Sequence, residues 1–208
     1  MARSLINLGQ QILKFDHDPE AAHVLYENAL EIAEQLHDVA AVAMCLSHLG
    51  DVAKARGDVS TAHAMYERAI ATFGDLGDRW TVALTLVDLG ELFADQGEHQ
   101  AGHQRFAEAL GLAREIGYPS GIARGMEAFA RSAARRGQAA RALRLAGAAA
   151  AIRKAVGTPL FPAEEITLAR DLDPARQTLG AAAADAEAEG RRMSVEDAIE
   201  YALAERLS

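Results

Sequence analysis

Apolar positions along the chain fall at steps of three and four, broken at regular intervals by glycine. In VAAVAMCLSHLGDVAKARG, Val42, Cys45, Leu46, Leu49 and Val52 make one stripe, the mark of a helix buried along one side. Gly57 stops that helix, because glycine tolerates the left-handed backbone of a helix C-terminus. Asp58 or Ser60 can cap the next. VSTAHAMYERAIATFGDL then carries Ala62, Met65, Tyr66, Ala69, Ile70 and Phe73 on one face, and Leu76-Gly77-Asp78 turns the chain again. The pattern predicts two antiparallel helices per unit.

The unit repeats. Tyr26, Tyr66 and Phe106 are spaced by 40 residues (66−26, 106−66), with Ala146 next in the register. Ala29, Ala69, Ala109 and Ala149 follow three positions later; Ala22, Ala62, Gly102 and Ala142 stand four earlier. Leu36, Leu76, Ile116 and Val156 close the units, followed by His37, Gly77, Gly117 and Gly157. Gly57, Gly97 and Gly137 mark the middles of units two to four, and Pro119-Ser120 starts the first helix of unit four. Unit one differs: Leu8-Gly9 precedes Leu49-Gly50 by 41 (49−8), which puts one extra residue in its KFDHD loop.

The order Leu49, Gly50, Ala53, Gly57, Ala62, Tyr66, Ala69, echoed by Leu89, Gly90, Phe93, Gly97, Gly102, Phe106, Ala109, resembles the tetratricopeptide repeat, whose usual unit is shorter. The resemblance implies an all-α, right-handed superhelical stack of antiparallel helix pairs, with four repeats over residues 1–157. Gly50 and Ala62 would let paired helices touch, with Tyr66 filling the hole between neighbours. After Gly157 the repeat breaks. TPLFPAEEITLARDLDPARQTLG holds three of the five prolines and reads as short helices with turns. Ser194 and Asp197 form a capping-box-like start to a last helix. Residues 158–208 are expected to close the open end of the stack as a helical cap.

Composition narrows the class further. Half the residues are apolar, only 5% are aromatic, and the alanine-rich remainder favours helices over sheets. A net charge of −9 argues against a general nucleic-acid surface. One cysteine, Cys45, cannot form an internal disulfide, and no signal peptide or membrane-length apolar run appears, so a cytoplasmic setting is expected.

Candidate chemistry is sparse. His99 and His103, four apart, could share a metal, but HQAGH lacks a third ligand and reads better as two solvated residues. His23, His63 and His103 recur at the repeat offset and read as a surface position. Ser47 and His48 are adjacent and so point to different helix faces. No carboxylate is read as paired with a nearby His or Ser for acid–base or nucleophilic work. No catalytic residue, metal or cofactor is expected.

In tetratricopeptide arrays the first helix of each unit lines a concave groove. Carried onto this register, the groove positions are Met44, Ser47, Asp51 and Lys54, then Leu84, Val87, Glu91 and Asp95, then Arg124, Glu127, Arg131 and Arg135. Such a groove would be mixed or acidic in its middle and basic at one end, where three arginines could clamp a carboxylate or phosphate.

RLAGAAAAIRKAVGTPLFPAEE and LGAAAADAEAEGRRMSVEDAIEYAL also resemble the C-terminal end of bacterial LuxR-type and AfsR/MalT-like signal-transduction ATPases. What that implies is a non-catalytic sensor or interaction arm. The chain has no GxxxxGK[ST] phosphate loop and no helix-turn-helix module, so neither ATP hydrolysis nor DNA binding carries over. The reading is therefore a protein- or peptide-binding scaffold of a bacterial regulatory system. The alternatives are a small-molecule effector domain and self-association as a homodimer through an apolar N-terminal edge (Leu5, Leu8, Ile12).

Overall fold

The computed structural model describes residues 1–16 and 18–204. It is all-α, with no strand among the described residues. The helices are α1 (Ala2–Gln11), α2 (Pro19–Gln35), α3 (Val39–Ala55), α4 (Val59–Asp75), α5 (Arg79–Asp95), α6 (His99–Glu115), α7 (Pro119–Arg135) and α8 (Ala139–Val156), then α9 (Pro162–Leu179), α10 (Ala183–Arg192) and α11 (Val195–Leu203).

Each of α2 to α7 is 17 residues long. One turn accounts for that regularity. His37, Gly57, Gly77, Gly97, Gly117, Gly137 and Gly157 all have positive φ, so the metre is a half-unit of 20 residues (57−37). The residue after each donates its N–H back to a carbonyl five residues earlier, as Asp38 to Ala33 at 2.9 Å and Gln138 to Ala133 at 2.9 Å. That bond closes the helix C-terminus as a Schellman motif. At the first six of these turns the same residue is the N-cap of the following helix, and Asp38, Asp58 and Asp78 each accept the N–H three residues on, at 3.0 to 3.1 Å. His37 alone among the described non-glycine residues takes positive φ, at 53°.

The chain forms two compact units, Met1–Leu92 and Phe93–Ser208, with the boundary inside α5. In the first, Ile6, Ala22, Tyr26, Ala29, Cys45 and Val52 form one buried cluster, and Ala43, Leu46, Ala69 and Phe73 another. Glycine makes room for the tyrosines. A Cβ on Gly9 would lie 2.7 Å from the Tyr26 ring, and one on Gly50 would lie 2.7 Å from Tyr66. Gly50 thus seats Tyr66 inside its own helix pair. The buried stripe of α1 is Ala2, Ile6 and Gly9; Leu5 and Ile12 are half-buried and Leu8 is exposed. The extra residue of unit one is taken up in a π-helical turn, Ile12–Asp16, as single insertions into helices commonly are. His17, the remaining member of the KFDHD loop with Asp18, lies outside the described residues.

In the second unit the core gathers around Phe106, Leu110, Met126, Phe129, Leu143 and Leu145. Phe106 meets Phe129 edge-on at 5.5 Å. Ala146 contributes no ring. Instead α10 comes against α8 so closely that a Cβ on Gly147 would lie 2.2 Å from the Glu187 carbonyl oxygen, and one on Gly190 1.9 Å from that of Arg144. The segment after Gly157 is not a run of short helices at its start: α9 continues for 18 residues with Pro174 inside it. Pro162 at its first turn and Glu164, which accepts the Phe161 N–H at 3.0 Å, set its start. Ser194 caps α11 by accepting the Asp197 N–H at 3.1 Å, while its hydroxyl donates to the Asp197 carboxylate at 2.6 Å.

Candidate functional site

The accessible side of α3 and α5 is set by helical periodicity. Met44, Asp51 and Lys54 are half-buried on α3, and Leu84 and Glu91 on α5. The middle position of each set is different. Ser47, Val87 and Glu127 are 9%, 1% and 4% exposed, so they face inward and correct the expectation that they line the groove. A helix stripe can advance from position 44 by three or by four residues. In α3 and α5 it advances by four, and the half-buried residues are His48 and Asp88; in α7 Ala128 is buried as well as Glu127.

The step by four brings His48 into a polar chain through four helices. His48 Nδ1 lies 3.2 Å from Asp51 Oδ2, and Tyr66 Oη donates to Asp51 Oδ1 at 2.7 Å. The Gln10 amide nitrogen lies 2.9 Å from His48 Nε2, and the Tyr26 ring stacks on the imidazole at 5.2 Å and 20°. A carboxylate only accepts, so the ring proton sits on Nδ1, and Nε2 accepts from Gln10. Burial and the nearby Asp51 charge push both the Tyr26 and Tyr66 phenols well above the usual tyrosine range. Burial, with the charges of Asp38 and Glu34, raises the Cys45 thiol to about 11, so it stays protonated and inert at neutral pH. Tyr26 Oη is buried and makes no hydrogen bond among the described residues. The register explains it: Tyr66 bonds the residue after Gly50, whereas the residue after Gly9 is Gln10, whose amide is turned to His48.

The sequence reading missed this chain, having found no carboxylate beside a histidine. The signal was present, since His48 and Asp51 stand three apart on one helix. Nothing local announced Gln10 and Tyr26, which arrive from other helices.

Further along α3, Lys54 Nζ lies 3.4 Å from Glu91 Oε2 on α5. The α3–α5 face of the first unit is therefore acidic and apolar together, with Asp51, Asp88 and Glu91 against one lysine that is already paired. In the second unit Arg135 lies 2.9 Å from Asp95, and Arg124 and Arg131 also interact within the chain. Glu127 is held by Arg153 of α8 through bonds of 2.5 and 2.9 Å, which push the guanidinium above its ordinary range. Glu127 thus ties α7 to α8.

His99 and His103 do not meet a third ligand: among the described residues no group of three His, Cys, Asp or Glu side chains could hold a metal. Of the recurring histidines, His23 and His63 face Glu27 and Glu67 at 3.2 and 3.9 Å, and His103 meets Phe129 edge-on at 5.1 Å. No helix among the described residues is long and apolar enough to cross a membrane.

A family model described as tetratricopeptide repeat matches residues 1–74. No curated protein matches the chain. Among solved structures, nearly identical TPR-like repeats from Podosopora anserina, described as a kinesin light chain, align at a TM-score of 0.56 and 16% identity over 97% of this chain and 93% of that one. That likeness is one of fold, and the fold is the all-α stack of helix pairs of TPR-like proteins.

Proposed function

We propose that this chain is a non-catalytic scaffold that binds a protein or peptide segment along the inner faces of its helix pairs. Tetratricopeptide repeats generally mediate protein–protein interaction, and the match over residues 1–74 supports that class for the first unit. The observation that carries the reading is the make-up of the α3–α5 face. Half-buried Met44 and Leu84 offer apolar anchorage beside His48, Asp51, Asp88 and Glu91. Such a surface suits an extended segment bearing Lys or Arg among apolar side chains, with the carboxylates selecting against acidic partners.

The finer role we propose is the interaction arm of a bacterial regulatory system, on the strength of the RLAGAAAAIRKAVGTPLFPAEE and EGRRMSVEDAIEYAL segments. A phage-displayed random peptide library, selected on the full chain, tests the binding claim. Selected peptides should be rich in Lys or Arg with apolar neighbours. They should lose at least tenfold in affinity for the Asp88→Lys, Glu91→Lys double variant, measured where its helical circular dichroism equals the parent's, since loss of the Lys54–Glu91 pair should lower its melting temperature. Selected peptides that are acidic, or that bind the double variant equally well, would overturn the reading.

A further inference from the structure

The α2–α3 and α4–α5 turns of the first unit expose large apolar side chains. Consecutive helices reverse direction across short turns, so both turns lie at the same end of the helices. Leu36 is 70% exposed, Val39 50%, Leu76 46% and Trp80 48%. Single exposed hydrophobics are ordinary, but four gathered on two adjacent turns form a patch of the kind that marks an interaction surface. Tryptophan is also among the anchor groups on which binding energy concentrates. The turn at the opposite end, Arg56-Gly57-Asp58, is polar, and Arg56 is ion-paired there with Glu20.

Charge selects the occupant. Glu34 and Asp38 flank the first turn, Asp75 and Asp78 the second, and Arg79 is the one Lys or Arg across residues 34–39 and 75–80. The packed helices α3, which begins at the first turn, and α4, which ends at the second, stand about 10 Å apart. Side chains seven apart on a helix are separated by about 10 Å along its axis. One helical partner can therefore place an apolar residue on each turn.

We propose that this end of the first unit is a docking surface for an amphipathic helix whose apolar stripe is flanked by Lys or Arg. It goes beyond the peptide reading of the inner face, uses different residues, and stands or falls separately. Burying Leu36, Val39, Leu76 and Trp80 supplies the hydrophobic contribution, and the four carboxylates set the sign of the partner.

Trp80 is the only tryptophan and thus a built-in reporter. The full chain is titrated with a synthetic Leu/Lys amphipathic helix of about 18 residues, about five turns, with its Leu/Glu counterpart, and with phosphatidylserine vesicles. The Leu/Lys helix should shift Trp80 emission to the blue and saturate. Affinity should fall at least tenfold in the Leu36→Ser, Leu76→Ser variant, measured where its helical circular dichroism equals the parent's. The Asp88→Lys, Glu91→Lys variant should bind the helix as the parent does, even if the inner face proves to bind nothing. No shift with the Leu/Lys helix would overturn the proposal. So would equal binding of the Leu/Glu helix, a response to vesicles alone, or binding undiminished by the two serine substitutions.

Discussion

Asp18, Asp38, Asp58 and Asp78 each cap a helix of the first unit, whereas Glu98, Tyr118 and Gln138, at the same places in the second, provide no side-chain cap. The turns are nonetheless alike. Gly97, Gly117 and Gly137 keep positive φ, and Glu98, Tyr118 and Gln138 make the same backbone bonds five residues back as their counterparts. The left-handed residue and the Schellman bond therefore set the metre, and the carboxylate adds stability to a turn already shaped. The units also differ in how neighbouring helices are held apart. The first uses a ring against a glycine, Tyr66 on Gly50; the second, at α8 and α10, uses glycine against backbone.

The largest expected effect breaks the first device. Tyr66→Ala empties a fully buried aromatic site and should cost about 3–5 kcal/mol in thermal melts. An unchanged melt would show that the ring is not what holds the pair. The second device should be nearly as sensitive. Gly190→Ala drives a methyl into the Arg144 carbonyl and should cost about 1–3 kcal/mol or more by urea unfolding. Gly111→Ala is its control, since a Cβ there meets nothing within 4 Å; it should stabilise by about 0.5–1 kcal/mol.

Alkaline pH separates the units by another route. The Tyr26 and Tyr66 phenols are raised above their unfolded value of about 10, so their contribution is present below about pH 10. It falls away as pH climbs further, because the unfolded chain then releases protons that the folded one keeps. Cys45, raised to about 11, acts in the same direction from about pH 8.5 upward. Stability of the first unit should therefore decline with rising pH, and the absorbance of ionised Tyr26 and Tyr66 should appear only on unfolding. Tyr66→Phe should remove part of the decline.

Smaller still are the caps. Asp58→Ala should lose about 1 kcal/mol, and Gln138→Asp should gain about 0.5–1 kcal/mol, since the turn at Gly137 is already formed. Both can be read from shifts in the denaturation midpoint. If Gln138→Asp gains nothing, the second unit's turns differ from the first's in more than the cap.

Most of the fold was legible because it is written in small residues with few alternatives. The aromatic–alanine–glycine spacing predicts the helix pairs, and His37 aligned with glycines takes the glycine conformation. Sequence did not reveal where a helix stripe advances by three or by four. Both steps keep residues on one side, and only packing decides, so Ser47 and Val87 are expected outside and lie inside, while Glu127 is buried where Arg153 of α8 holds it. The candidate site was harder for the same reason. His48 and Asp51 could be paired by spacing, but Gln10, Tyr26 and Tyr66 reach them only because Gly9 and Gly50 let the rings in. Pro174, read as a break, sits within α9 because α9 is held along its length by other contacts, among them Arg176 Nη1 donating to the Ala169 carbonyl at 3.0 Å.

The most direct test is backbone NMR of the full chain, reading the amide-to-Hα couplings and chemical shifts of the junction residues. His37, Gly57, Gly77, Gly97, Gly117, Gly137 and Gly157 should all report the left-handed conformation, with unbroken helical shifts between them over the intervals 39–55, 59–75, 79–95, 99–115, 119–135 and 139–156. Extended shifts in any of those intervals, or a junction displaced from its place twenty residues after the last, would contradict the account.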